Sequence, residues 1–206
     1  MQKSPLPAVV LASSSPYRRG LLERVLADFR CDSPAVDEAP RPGEAPEALA
    51  SRLALAKACA VARRHPAALV IGADQVAVLG TRILGKPGGF EPALEQLMAA
   101  SGRTLRFLTA VSLLDPAGQP HRHTDLTSVR FRRFDRSLAE AYLRHDEPYD
   151  CAGSFRVEGA GVVLFEAVHT EDPTSLVGLP MIWLAAKLVE IVGVGSGTGF
   201  LCRPPS

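Results

Sequence analysis

The chain has no excess of charge of either sign, no cysteine pairs and no long apolar run. Each shortage excludes something. Against 23 Lys and Arg stand 22 Asp and Glu, a formal net charge of +1. No global basic field exists to hold a nucleic acid, so no nucleic-acid partner is expected and any anion site must gather its cations locally. The four cysteines, Cys31, Cys59, Cys151 and Cys202, are far apart and form no Cys-x-x-Cys pair. That spacing argues against a zinc site or a disulfide framework and suits a reducing compartment. No apolar stretch reaches membrane-spanning length, so no membrane partner is expected. The opening Met-Gln-Lys-Ser-Pro lacks the apolar core and cleavage site of a signal peptide, so a cytoplasmic protein is expected.

What is there is a core. Hydrophobic residues make up 47% of 206, enough to bury one sizeable domain, and no linker or internal repeat divides the chain. The centre is Val70-Ile71-Gly72-Ala73-Asp74-Gln75-Val76-Ala77-Val78, a β-branched run that reads as a strand buried on both faces. A carboxylate in such a run is costly unless it is paired or binds a metal. Asp74 either caps a turn after a short strand or stands at the mouth of a cleft and does chemistry.

Before it, residues 8–12 read as a strand running into Ser13-Ser14-Ser15-Pro16, with Ser15 as N-cap and Pro16 as the first residue of a helix extending over 17–26. Serine hydroxyls and free N–H groups converge at such a turn, an arrangement that binds anions. Arg18 and Arg19 lie in its first turn, where cations are unfavourable unless a polyanion is expected. A second strand over 29–33 leads to a proline-rich acidic loop over 34–43 with Asp37-Glu38. An alanine-rich helix over 45–64 carries Leu49, Leu53, Ala56 and Ala60 at helical spacing, with Lys57 beside that stripe; a lysine there ordinarily snorkels to water.

After the central strand, Ile83-Leu84-Gly85-Lys86-Pro87 reads as a turn holding a lysine, and it lacks the spacing of a phosphate-binding Walker loop. A helix over 93–100 follows, then strands over 105–114 and 124–131 joined by a polar loop over 115–123. His121 and His123 in that loop read as solvated rather than as a metal pair. A short helix over 138–144 precedes the small-residue loop 150–159, a binding loop by composition. Cys151 in that loop has no accompanying histidine motif that would make it a nucleophile. A strand over 161–168 and a last helix over 182–192 complete the α/β pattern. The glycine-alternating segment 193–199 reads as part of a flexible end, residues 193–206, rather than a dinucleotide fingerprint, since no helix follows it.

Taken together, Leu11-Ala12-Ser13-Ser14-Ser15-Pro16-x-Arg18-Arg19, Asp37-Glu38, Lys57, Gly72-Ala73-Asp74, Gly85-Lys86-Pro87, Ser101-Gly102-Arg103, Ala152-Gly153-Ser154-Phe155 and Val177-Gly178-Leu179-Pro180 resemble the Maf-like nucleoside triphosphate pyrophosphatases. Each motif is weak alone, while the ordered set is specific. The resemblance implies a single domain with an elongated α/β fold: a mixed central sheet flanked by helices, in two lobes around a cleft, related to the inosine triphosphate pyrophosphatases. It implies hydrolysis of a nucleoside triphosphate to monophosphate and pyrophosphate with a divalent cation, Mg²⁺ or Mn²⁺, and a homodimer. Ser13, Ser15, Arg18, Arg19, Lys57 and Lys86 are then expected on the phosphates, and Glu38 and Asp74 on the metal, with Asp74 also the proton acceptor.

Tyr17, Gln75 and Glu158 stand where the dTTP/UTP members carry Arg, Thr and Gln, and Cys151 where they often carry Lys. These departures match the branch resembling 7-methyl-GTP pyrophosphatases. Base chemistry agrees: guanine presents two adjacent donors, which suit the two acceptors of a carboxylate such as Glu158. A 7-methylated guanine is also cationic, which favours that carboxylate and an aromatic face such as Tyr17. The alternatives are a dTTP/UTP or broader modified-nucleotide pyrophosphatase, differing only in the base pocket, and a non-enzymatic regulator of septum formation, an association the family carries.

Overall fold

A computed structural model describes residues 7–193. The expected flexible end over 193–206 therefore lies, apart from Gly193, outside the described residues, as does Cys202. The chain runs β1 (Val9–Ala12), α1 (Pro16–Leu22), β2 (Arg30–Cys31), α2 (Pro46–Ala62), β3 (Leu69–Leu79), β4 (Arg82–Leu84), α3 (Phe90–Ala100), β5 (Thr104–Leu114), β6 (Pro120–Phe131), α4 (Arg136–Asp146), β7 (Phe165–His169) and α5 (Met181–Val192). Short 3₁₀ turns occupy Ala160–Leu164 and Ser175–Val177. The seven strands form one mixed sheet in the order β2-β1-β3-β5-β6-β7, with β4 also on β3. This is the mixed α/β sheet with flanking helices that the sequence predicts.

β3 is the spine. One of its edges is paired with antiparallel β5 from Val70 to Leu79 without a break. The other edge changes partner: parallel β1 pairs Leu69 to Gly72, and antiparallel β4 pairs Ala77 to Leu79. Residues Ala73, Asp74, Gln75 and Val76 have no strand on that side. Backbone is bared in mid-sheet, at the place where a partner strand ends and a loop turns away, which is where open α/β sheets bind ligands.

Strand alternation sorts the core. Val70, Val76 and Val78 face α2, packing on Leu49, Leu53, Ala54, Ala58 and Val61. Leu69, Ile71 and Ala73 face α1 and α5, while Ala77 and Leu79 on the same side face α3 and α4. α2 sits close because residue 72 is glycine. A Cβ there would lie 2.2 Å from the Ala54 carbonyl oxygen and 2.6 Å from the Ala58 nitrogen.

Several expectations are corrected. The first helix stops at Leu22, four residues early, and continues only as turns. The expected turn over 83–87 begins inside β4. The polar loop over 115–123 is shorter, because Asp115 accepts from the Ala117 and Gln119 amides and starts β6 at Pro120, which places both histidines on a strand. His123 stacks on Trp183 at 5.4 Å rather than standing free in water. The expected strand over 161–168 is a 3₁₀ turn as far as Leu164, since a continuous apolar run carries no period to separate the two.

Candidate active site

A cleft of about 640 Å³ wraps the bared edge of β3 and is lined from both sheet faces. That volume lies within the range of small-molecule sites. Asp74 points to the α2 side, and its Oδ1 is 2.6 Å from Lys57 Nζ. Both residues are 7% exposed. Lys57 lies within the apolar stripe of α2, not beside it, and it does not snorkel: the stripe is Leu49, Ala50, Leu53, Ala54, Lys57, Ala58 and Val61, with Ala56 and Ala60 off its edge. The second partner of Lys57 is Glu38 Oε1 at 2.7 Å. Glu38 arrives on the proline-rich loop, which Arg52 pins by a double contact to Glu44 and a bond to the Ala39 carbonyl at 3.1 Å.

Burial pushes the Asp74 carboxyl above the ordinary carboxylate range, while Lys57 and then Arg18 pull against it and Glu38 adds to the rise. A carboxylate so placed is a better proton acceptor than an exposed one.

The serine turn forms the adjacent wall. Ser13 Oγ accepts from the Ser15 amide at 3.1 Å, and Ser15 Oγ accepts from the Arg18 amide at 3.4 Å, so each hydroxyl proton remains to be donated. Arg18 lines the cleft with its Nε on the Gly178 carbonyl at 3.1 Å. Arg19 does not. One residue on, the helix has turned it outward, where it is exposed and paired with Glu23 at 2.8 Å. With α1 only seven residues long, the cation that this wall turns into the cleft is Arg18, and Arg19 stands in a surface ion pair. Lys86 follows β4, lines the opposite rim, is exposed, and has no ion-pair partner among the described residues.

Tyr17, Asp150, Cys151, Arg156 and Glu158 line the far end. Phe155 anchors their loop, packing edge-on against Phe107, Phe131 and Phe165. The Tyr17 phenol stays protonated: burial pushes it up, and Cys151 and Asp150 push further. Burial, with Asp150 adding, pushes the Cys151 thiol up to about 12, so it supplies no thiolate nucleophile. Gln75 lies on the sheet face opposite Asp74, and its Nε2 lies 3.0 Å from Thr109 Oγ1, 2.9 Å from the Ser175 carbonyl and 3.2 Å from that of Leu176. Its amide protons are committed to the protein, which leaves only its carbonyl oxygen for a base.

Every expected site residue except Arg19 lines this one cleft. Arg156 and Asp150 line it too, and no sequence signal distinguished them from the small-residue loop around them. Among the described residues no group of three or more His, Cys, Asp or Glu forms a metal cage. Glu38 and Asp74 meet instead on the Lys57 ammonium, at 2.7 and 2.6 Å. A pair of carboxylates held that close fits an ion of the Mg²⁺ type beside the lysine, since such an ion takes one or two carboxylates and completes its shell with phosphate oxygens and water.

The Maf-like protein family matches residues 8–191. The 7-methyl-GTP pyrophosphatase of Xanthomonas axonopodis pv. citri is 55% identical over 183 residues, 89% of this chain and 96% of its own. That of Pseudomonas syringae pv. tomato is 50% identical over 186 residues, 90% of this chain and 97% of its own. Among solved structures, the Staphylococcus aureus Ham1 protein aligns with TM-score 0.44 at 18% identity over 60% of this chain and 71% of its own, a likeness too loose to bear on function.

Proposed function

The chain belongs to the Maf-like family, and we propose that it hydrolyses 7-methyl-GTP to 7-methyl-GMP and pyrophosphate. The observation that carries the reaction is the Lys57–Asp74 pair, buried together at 2.6 Å on the bared edge of β3 and opening on a cleft with Arg18. Two charges in that position are expensive as structure alone, and a carboxyl with a raised pKa beside lysine and arginine suits proton transfer at a phosphorus centre.

Asp74 accepts a proton from the water that attacks the α-phosphorus. The bond from the α-phosphorus to its bridging oxygen breaks, and pyrophosphate leaves. Lys57 holds the Asp74 carboxylate in place. Arg18, Lys86 and the Ser13 and Ser15 hydroxyls bind the phosphate oxygens, a preset electrostatic cradle for charge that develops in the transition state. Glu38 and Asp74 would hold a divalent cation, which would neutralise phosphate charge. We assign base recognition to Tyr17 and Glu158: the ring stacks on a cationic base, and the carboxylate accepts from its two adjacent donors. Gln75 adds an acceptor only. The names of the relatives support this substrate, and the chain is read as one domain whose two lobes meet at the cleft.

The test is pyrophosphate release with Mg²⁺ or Mn²⁺ across 7-methyl-GTP, GTP, UTP and dTTP. Preference for 7-methyl-GTP is expected. Preference for a pyrimidine would keep Asp74 and overturn the roles of Tyr17 and Glu158.

A further inference from the structure

The segment between β7 and α5 is tied down from both ends by buried polar groups. Asp172, 4% exposed, accepts from the Thr174 amide at 2.9 Å and the Thr174 hydroxyl at 2.6 Å on one oxygen, and from the Ile182 amide at 2.6 Å on the other. Thr174 Oγ1 in turn accepts from the Met181 amide at 3.0 Å. From the sheet side, Thr109, fully buried, donates to the Ser175 carbonyl at 2.9 Å, and the Gln75 amide holds the Ser175 and Leu176 carbonyls. Buried carbonyls must be satisfied somewhere. Here their partners are side chains that leave the loop one position.

What that position delivers is the Gly178 carbonyl, which accepts from Arg18 Nε at 3.1 Å across 160 residues of sequence. Gly178 has φ +129°, which side-chain-bearing residues rarely adopt, and a Cβ there would lie 3.2 Å from Arg18 Nε and 3.3 Å from its Cγ. The loop therefore packs on the arginine and bonds it. With Nε committed, the plane of the guanidinium is set, and its terminal nitrogens have no hydrogen-bond partner among the described residues.

We propose that the 172–178 loop is a positioning device for Arg18, with Thr109 and Asp172 as positioning residues that touch no substrate. They fix the Gly178 carbonyl, Gly178 fixes the guanidinium, and the guanidinium meets phosphate oxygens as a preset fork. Charge-assisted arginine contacts depend on that geometry, and presetting it removes the ordering cost from binding. The proposal rests on the placement of Arg18 on the phosphates in the pyrophosphatase reading.

The experiment is titration calorimetry with inorganic pyrophosphate, which needs no turnover, on Thr109→Val, Asp172→Asn, Arg18→Ala and the two double variants. Thr109→Val or Asp172→Asn is expected to weaken pyrophosphate binding about three- to tenfold, the size of one hydrogen bond. In the Arg18→Ala background the same changes are expected to do almost nothing, the non-additivity of groups that act in series. The proposal is overturned if the wild-type chain fails to bind pyrophosphate, or if the losses add in full to that of Arg18→Ala. It is equally overturned if both variants lower thermal stability and leave affinity unchanged. An absence of turnover, with anion binding coupled as described, would sink the reaction instead and leave the positioning role standing.

Discussion

At one end of the cleft Lys57 and Asp74 are each 7% exposed and locked 2.6 Å apart between α2 and β3. At the other end Glu158 and Asp150 are exposed and have no ion-pair partner among the described residues. In the proposed function the difference matches the tasks given to Asp74 and Glu158. Groups that move protons need a dry, fixed setting, where burial shifts a pKa and geometry costs nothing at the moment of reaction. Groups that read a base need to discriminate, and a carboxylate on a loop rim can change partners without disturbing the core. Damage at the buried end should therefore abolish turnover or stability, and damage at the rim should redirect substrate choice.

The hardest blow to the buried end is Asp74→Asn. Pyrophosphate release should fall by about 10²- to 10⁴-fold, the usual contribution of a general base, with the fold intact by circular dichroism. Near-normal turnover would erase the contrast between the two ends. With Asp74 as the base, the same carboxyl should set the pH profile. Its pKa is raised, so on acidification it takes up a proton above the ordinary aspartate value of about 3.9 and loses base function there. The acid limb of kcat/KM should sit above that value and vanish with Asp74→Asn.

Gly72→Ala tests whether the buried end depends on close helix approach. A methyl 2.2 Å from a backbone carbonyl must push α2 away, and such overpacking costs about 1–3 kcal/mol in denaturant unfolding. Because the shift carries Lys57 with it, turnover should fall in the protein that remains folded. Unchanged stability would mean that α2 yields freely.

At the rim, Glu158→Gln should lower the ratio of 7-methyl-GTP to UTP use about tenfold or more, the value of a hydrogen bond to a charged group, and leave stability within about 0.5 kcal/mol. A simultaneous collapse of turnover on all substrates would show that the two ends are not separable. The smallest effect is expected outside the cleft. Arg19→Ala removes an exposed i,i+4 pair with Glu23 that water and salt screen, so stability should barely move and turnover should change less than twofold. A large loss there would return Arg19 to the phosphates.

Much of this was readable before folding. β-Branched runs, serine and proline caps and the glycine-bounded helices carry local signals, so strands and helices fell within a few residues of their places. Asp74 stood out because a charge inside a buried strand requires a reason. What residue order leaves undecided has one cause. Arg18 and Arg19 are indistinguishable as letters, and only the 100° turn between neighbouring helical residues sends one to the cleft and the other to water. Residue pattern alone gives Lys57 the snorkelling position of any lysine beside an apolar stripe, and its burial appears only when α2 lies against Gly72.

The sequence by itself determined the mixed α/β pattern, the identity of the charged groups and the family they belong to, because those depend on local propensity and residue order. Only the tertiary structure decided that β3 loses its edge partner at Asp74, that Asp74 and Gln75 serve opposite faces, and that Gly178 holds Arg18. Those facts concern residues up to 160 positions apart, and their contacts exist only once the sheet has paired and its helices have packed.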